Sequence, residues 1–348
     1  MTDADTDILI IGAGGAGLAA AAAVANSPYR VLILEARDRI GGRIFTRQVP
    51  DLAVPIEYGA EFIHGHAPTT MAILQSGGTT AIESTDTHFR LFDGKLAARN
   101  DFFHEVQQAL RASTALNNQD LSFDSFLEQS QDLSPAARRY AQMMAEGFDA
   151  ADTSRASARA IAAEWTADMM NDDAPQSRPQ GGYDSLLASL AAPLHRANVR
   201  LQLQTVTTAV RWSKGSVEIE GTFSGAPFRA RARRAIITLP LGVLQQSPDA
   251  PGAVHFSPAL DAKRSALQGL ASGPVMKHAA LQWRLLGRTR WRTQSQRRLL
   301  PFAGGALPDV LDAASGARPT PRRLGGWPPG RVVVSCLLAP GNRRPGAR

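Results

Sequence analysis

Three observations predict an α/β fold. Residues 7–11 (Asp-Ile-Leu-Ile-Ile) make a continuous apolar run of the kind required by a strand buried on both faces. A glycine-rich turn and an alanine-rich helix follow, and residues 30–35 then repeat the apolar run, which gives a Rossmann-like βαβ opening with two parallel strands. After a long helical stretch, the chain returns from Gly181 to alternating helix and strand. The expected architecture is therefore a Rossmann-like α/β core with a second, α+β lobe and an inserted helical region.

Each element has a local cause. The first helix, over 15–26, ends at Ser27-Pro28, because proline cannot continue a helix. Residues 89–96 read as a hairpin turned by Asp93-Gly94. The helical region runs from about 101 to 170; within it Ser122 and Ser134-Pro135 are helix starts, the latter with proline in the first turn where its missing N–H costs nothing. Gly181-Gly182 leads into an amphipathic helix over 183–196. Strands follow near 199–204, 209–213, 216–220, 228–233 and 235–239, and a last one spans 275–283.

The chain has 348 residues, 44% of them hydrophobic and 20% charged, which excludes a disordered, collagen-like or coiled-coil protein. Its single cysteine, Cys336, forms no internal disulfide and supplies no multi-thiolate metal site, which fits a reducing, cytoplasmic compartment. The apolar stretch 8–25 is interrupted by glycines and preceded by Asp3, Asp5 and Asp7, so it is neither a signal peptide nor a membrane helix. The net charge of +7 comes from one place: residues 287–348 hold twelve arginines and two acids. With eight prolines and nine glycines this tail is not expected to pack, and it lacks the aromatic interleaving of a nucleic-acid binder. Its abrupt change of composition near Gly287 reads as an out-of-frame or aberrant segment.

Chemistry is carried first by Gly12-Ala13-Gly14-Gly15-Ala16-Gly17, set between strand and helix. Gly12 permits the tight turn, Gly14 lets the backbone approach a pyrophosphate, and Gly17 lets helix and strand pack closely, while the helix N-terminus offers N–H groups to the phosphates. Glu35 ends the second strand, 18 residues after Gly17, where its carboxylate can accept ribose hydroxyls. Downstream, Glu35-Ala36-Arg37-Asp38-Arg39-Ile40-Gly41-Gly42-Arg43 adds a second glycine pair and a guanidinium able to fork across phosphate oxygens.

With these segments, and with residues 58–65 (Tyr-Gly-Ala-Glu-Phe-Ile-His-Gly), Gly181-Gly182-Tyr183, residues 237–244 and Lys277, the chain resembles the flavin amine oxidase family, which includes monoamine and polyamine oxidases. The resemblance covers about residues 5–286. It implies a Rossmann-like FAD-binding domain of the GR2 flavoprotein type and a substrate domain with the helical insertion. The division expected is 1–80 and 181–245 for FAD, 81–180 and 246–286 for substrate, and 287–348 for the tail. It also implies non-covalent FAD held by Gly12, Gly14, Gly15, Ala16, Gly17, Glu35, Ala36, Arg37, Gly41, Gly42 and Arg43. Gly59, Ala60, Glu61 and Phe62 would run along the isoalloxazine, and Val206 or Thr207 would meet the adenine through the backbone.

Lys277 shares a strand face with Val275, Ala279, Leu281 and Trp283, so spacing allows either a buried ammonium or an edge lysine reaching water. The resemblance implies that it holds a water beside flavin N5. The resemblance also implies that His64 faces the substrate channel, where a histidine can serve as neutral acceptor or base; the alternative is a loop histidine that packs only on the cofactor. His64 and His66 at spacing two make no metal site, the paired methionines 143–144 and 169–170 read as core filler, and no Ser-His-Asp arrangement has local support. The implied reaction moves a hydride from the α-carbon of a small-molecule amine to flavin N5, gives an imine, and returns electrons to O2 as H2O2. No membrane partner is expected, and a homodimer is left open.

The family's late flavin-capping segment has no counterpart after residue 286. The alternatives are therefore an impaired FAD-binding remnant, or an FAD-dependent L-amino-acid oxidase or desaturase. A nucleic-acid binder using the basic tail is a third, of another class.

Overall fold

The structure, a computed structural model, describes residues 3–50, 52, 54–84, 89–92, 95–98, 102–113, 116, 119–167, 176–280 and 333–337. Its centre is a four-stranded parallel sheet in the order Val199–Gln202, Val31–Leu34, Ile8–Ile11, Arg234–Ile237. All eight residues of the two inner strands are buried, as their continuous apolar runs require. Successive side chains point to opposite faces, and each face has its own cover. Ile8, Ile10, Val31 and Ile33 pack with Leu18 and Ala21 of helix Gly15–Val24 and with Leu186, Leu187 and Leu190 of helix Asp184–Ala191. Leu9, Ile11, Leu32 and Leu34 pack instead on Val210, Val217, Ile219, Phe228 and Ala230 of a second sheet.

That second sheet has five strands in the order Asp3–Asp5, Ala226–Ala232, Ser216–Phe223, Thr205–Ser213, His255–Ser257. Its three long strands form an antiparallel meander, and the outer two add in parallel. The strand expected from 209 begins four residues earlier, because Thr205, Val206, Thr207 and Thr208 are all β-branched and suit a pleated surface. The helix expected over 183–196 is α-helical only over Asp184–Ala191, and Ala192–His195 is a 3-10 turn. Pro193 lacks the N–H that would bond four residues back, so the helix ends there.

The helical region divides into Phe102–Ala112, Phe123–Gln129, Pro135–Gly147 and Ala158–Trp165. Ser122 and Ser134 start helices as expected, each side-chain oxygen accepting from the backbone N–H three residues on, and Ser157 does the same without having been singled out. The four helices close on a separate core containing Val106, Phe123, Phe126, Tyr140 and Trp165. A small antiparallel sheet has the order Ile63–His64, Gln176–Pro179, Ala81–Glu83.

The hairpin Phe89–Phe92 with Lys95–Ala98 forms as expected, its turn residues 93–94 lying outside the described residues. The last expected strand is Met276–Ala280; residues 281–283 lie outside the described residues. The expectation of a structureless tail is corrected at Val333–Leu337, which pairs antiparallel with Met276–Ala280, Lys277 opposite Cys336. Residues 332–338 are one short apolar, β-branched run inside the Arg/Pro/Gly setting, which is the local composition a strand needs. The remainder of the tail lies outside the described residues.

Candidate active site

The glycine turn is closed around itself. Gly12 has φ +103° and donates to Leu34 O (2.8 Å), and the Thr238 hydroxyl lies 2.8 Å from Ile11 O and 3.1 Å from Gly12 O. A Cβ at Gly17 would sit 1.9 Å from the Gly12 carbonyl oxygen, so only glycine lets this helix approach its strand. The helix N-terminus at Gly14 has no side-chain cap, leaving its first-turn N–H groups to a ligand.

The second glycine pair lies against the first. Gly41 donates to Ala13 O (2.8 Å), and a Cβ on Gly41 would meet Ile44 O at 2.6 Å. Arg37 and Arg39 do not reach outward: Arg37 donates to Gly42 O (3.0 Å), and Arg39 donates to the carbonyls of Ile40, Gly42 and Ile44 while lying 4.0 Å over the Phe45 ring. These guanidiniums hold the loop's shape. Arg43 is exposed, and its guanidinium makes no hydrogen bond or ion pair among the described residues, which leaves it open to an anionic ligand. Ala36, next to them, is exposed.

Glu35 is buried, and its two carboxylate oxygens accept from the backbone N–H groups of Ala13 (2.8 Å) and Arg37 (3.0 Å), tying both glycine loops to the strand end. Each oxygen retains a lone pair for a hydroxyl. Val206 and Thr207 come to the same end, because Gln204 and Thr205 donate to Arg37 O and Glu35 O, both at 2.8 Å. The Thr207 hydroxyl is buried without a partner.

The segment 59–62 runs along the far side of Arg43: Ala60 donates to Arg43 O (3.1 Å), and a Cβ on Gly59 would stand 1.9 Å from that oxygen. Its end is pinned by Tyr183, whose hydroxyl donates to Phe62 O (2.9 Å). Tyr183 is held in turn by its own N–H on Glu57 (2.7 Å); burial, then Glu57, raises its phenol above the usual value. Gly182 has φ +101° where a Cβ would meet Thr46 and Glu57, which explains the paired glycines before this helix.

Lys277 reaches this segment from the opposite side. Its ammonium donates to Gly59 O (3.0 Å) and to Glu61 Oε2 (2.8 Å), with only 14% of the side chain exposed. Between the two arrangements left open by spacing, the side chain is half-buried and turned onto the 59–62 segment, with its charge paired as even partial burial favours. Glu61 Oε1 pairs with Arg178 (2.9 Å), which lies 4.3 Å over the Phe62 ring. Arg178 was missed at the sequence level. It stands 117 residues from Glu61, and only the pairing of Ser177 with Ile63 brings the two together.

His64 is half-buried between Phe62 and Phe148, with ring centroids at 5.9 and 5.2 Å, and burial lowers its pKa below 6.5. Its imidazole is therefore neutral at neutral pH. Among the described residues no group of three or more His, Cys, Asp or Glu is placed to hold a metal, and no helix is long and apolar enough to cross a membrane.

Residues 16–284 match the family model described as flavin containing amine oxidoreductase. The chain belongs to this family. It is 28% identical over 302 residues to "Probable polyamine oxidase 4" of Arabidopsis thaliana, covering 78% of this chain and 57% of the relative. Among solved structures, putrescine oxidase bound to putrescine superposes with a TM-score of 0.66 at 18% identity, over 81% of this chain and 67% of the other. Cyclohexylamine oxidase from Brevibacterium oxydans IH-35A gives 0.64 at 24%, over 80% and 66%. The chain thus spans little more than half the length of that plant relative, and the likeness to the solved structures establishes the fold.

A flavin amine oxidoreductase needs a flavin, and the residues present fit one. Gly12, Gly17 and Gly41 leave no room for a Cβ, the helix N-terminus is uncapped, the Arg43 side chain is unpaired among the described residues, and the orphaned Thr207 hydroxyl lies at the same strand end as Glu35.

Proposed function

We propose that this flavin amine oxidoreductase binds FAD without a covalent link and oxidises the C–N bond of a small amine. Gly12 to Gly17 and Arg43 take the pyrophosphate, Glu35 the adenosine ribose, Val206 or Thr207 the adenine, and Gly59 to Phe62 the isoalloxazine edge. When bound, the flavin supplies a hydride acceptor for the amine α-carbon and returns the electrons to O2 as H2O2. The observation that carries this reading is the half-buried Lys277, whose ammonium donates from a distant strand to the backbone of Gly59 and the carboxylate of Glu61.

The chain's own residues then do the following. Lys277 and Arg178 flank Glu61, so this corner carries one net positive charge and repels an ammonium; the amine reacts as the neutral base. His64, neutral and walled by Phe62 and Phe148, offers a ring nitrogen to the amine and keeps the entrance apolar. The imine leaves the site and is hydrolysed by water to a carbonyl compound and a smaller amine or ammonia. The single cysteine supports assignment to a reducing cytoplasm.

The deciding experiment is an absorbance spectrum of the purified chain before and after anaerobic addition of a panel of amines. A flavin spectrum that bleaches with an amine and recovers with air is expected. A protein that takes up no flavin from saturating FAD overturns the cofactor assignment, and bound flavin that amino acids bleach but amines do not overturns the substrate class.

A further inference from the structure

We infer that Arg178 is a positioning residue for Lys277, acting through Glu61: by occupying one carboxylate oxygen it confines Lys277 to the other and keeps the ammonium on the Gly59 carbonyl. The catalytic meaning of this rests on the function proposed above; the geometry does not. Glu61 has two oxygens and two cationic claimants, Arg178 at 2.9 Å on Oε1 and Lys277 at 2.8 Å on Oε2. Among the described residues these are the only charged groups in contact with that carboxylate, and Glu61 is the only acid paired with Lys277.

Arg178 is built for this role. Its strand Gln176–Pro179 is the middle strand of the small sheet, held on both sides by Ile63–His64 and Ala81–Glu83. The guanidinium lies over the Phe62 ring at 4.3 Å, so a cation–π contact holds it one residue beyond the carboxylate it grips. Without that grip both oxygens fall to Lys277. The ion pair then tightens and draws the ammonium off Gly59 O, the carbonyl that fixes its height beside the 59–62 segment. Removing Glu61's charge has the opposite effect, since Lys277 then keeps only a carbonyl.

The two substitutions therefore move Lys277 in opposite directions, which a merely structural role would not do. The chain has four lysines (Lys95, Lys214, Lys263, Lys277), so acetylation by acetic anhydride can be followed site by site by mass spectrometry, without flavin. Only the unprotonated amine reacts. Arg178→Met is expected to slow acetylation of Lys277, relative to Lys214 in the same molecule, by about threefold, the size expected for losing one partly screened positive neighbour. Glu61→Gln is expected to speed it by about tenfold, and Arg178→Lys to restore the parent rate. Equal or faster labelling of Lys277 in Arg178→Met, with Lys214 and Lys263 unchanged, overturns the proposal. So does faster labelling of all three, since a fold that fails without Arg178 assigns it to stability; Arg178→Gln, which keeps a donor without the charge, must then also leave Lys277 no slower. Failure of flavin binding with the labelling pattern intact would strike the function and leave this inference standing.

Discussion

Gly17→Ala tests the closeness on which the nucleotide turn depends. The added Cβ would lie 1.9 Å from the Gly12 carbonyl oxygen and 3.0 Å from Thr238 Oγ1. Relief to a bearable 3.0 Å requires the helix to withdraw by about 1 Å, because the obstacle is backbone and has no rotamer to escape into. That withdrawal unseats Leu18 and Ala21, both fully buried against Ile8, Ile10 and Ile33. Overpacking of this kind costs about 3 kcal/mol, and alanine's better helix propensity returns about 1 kcal/mol. A net loss of about 2 kcal/mol lowers Tm by roughly 4–8 °C for a domain of this order of size. Gly147→Ala is the control: it ends a helix, its φ is not positive, and nothing lies within 4 Å of its Cβ, so Tm should hold or rise. Thermal melts followed by circular dichroism compare the two. A Gly17→Ala protein as stable as Gly147→Ala would refute the reasoning, since the steric contact would then be worth nothing.

Glu35→Leu should cost about 2–3 kcal/mol in urea denaturation, since the N–H groups of Ala13 and Arg37 lose their acceptor, while Glu35→Gln, able to serve one of them, should recover part. Asp149 has its pKa raised to about 6, first by burial and then by Glu164, and its Oδ1 is buried without a partner. The folded state thus holds the proton more tightly, so this group's contribution is full below the unfolded value of 3.8 and is lost as pH rises through about 6. Asp149→Asn should therefore raise Tm at pH 7.5 and leave it unchanged at pH 3.5 in parallel melts. His64 works the other way: its folded pKa lies below 6.5, so stability is lost as pH falls below 6.5, and His64→Leu should flatten that acid-side decline in a Tm-versus-pH series.

The βαβ opening was legible because its signals are local. Gly12, Gly14, Gly17 and Glu35 lie within one strand–turn–helix–strand unit, and the backbone requirement at each is met by a residue type that stands out. Lys277 was legible only as an alternative, since strand spacing gives a face and not what covers it. Arg178 left no local trace, because its meaning comes from a strand register linking residues over a hundred positions apart. Boundaries failed where a competing cause was overlooked, as with Pro193 inside the helix run and the β-branched residues 205–208 before a strand. The helical region read as one stretch, yet serine caps divide it, and Ser157 escaped notice because no proline or acidic residue marks the turn after it.

The helical cluster draws its interior entirely from residues 106–165 and shares no buried side chain with either nucleotide core. Among the described residues it touches the site through Phe148 against His64, and through the Ala150 carbonyl where Gly273 passes with no room for a Cβ. A bundle so self-contained can be exchanged for one of different girth, provided its contacts with His64 and Gly273 are preserved. Such an exchange asks nothing of the packing between the two sheets.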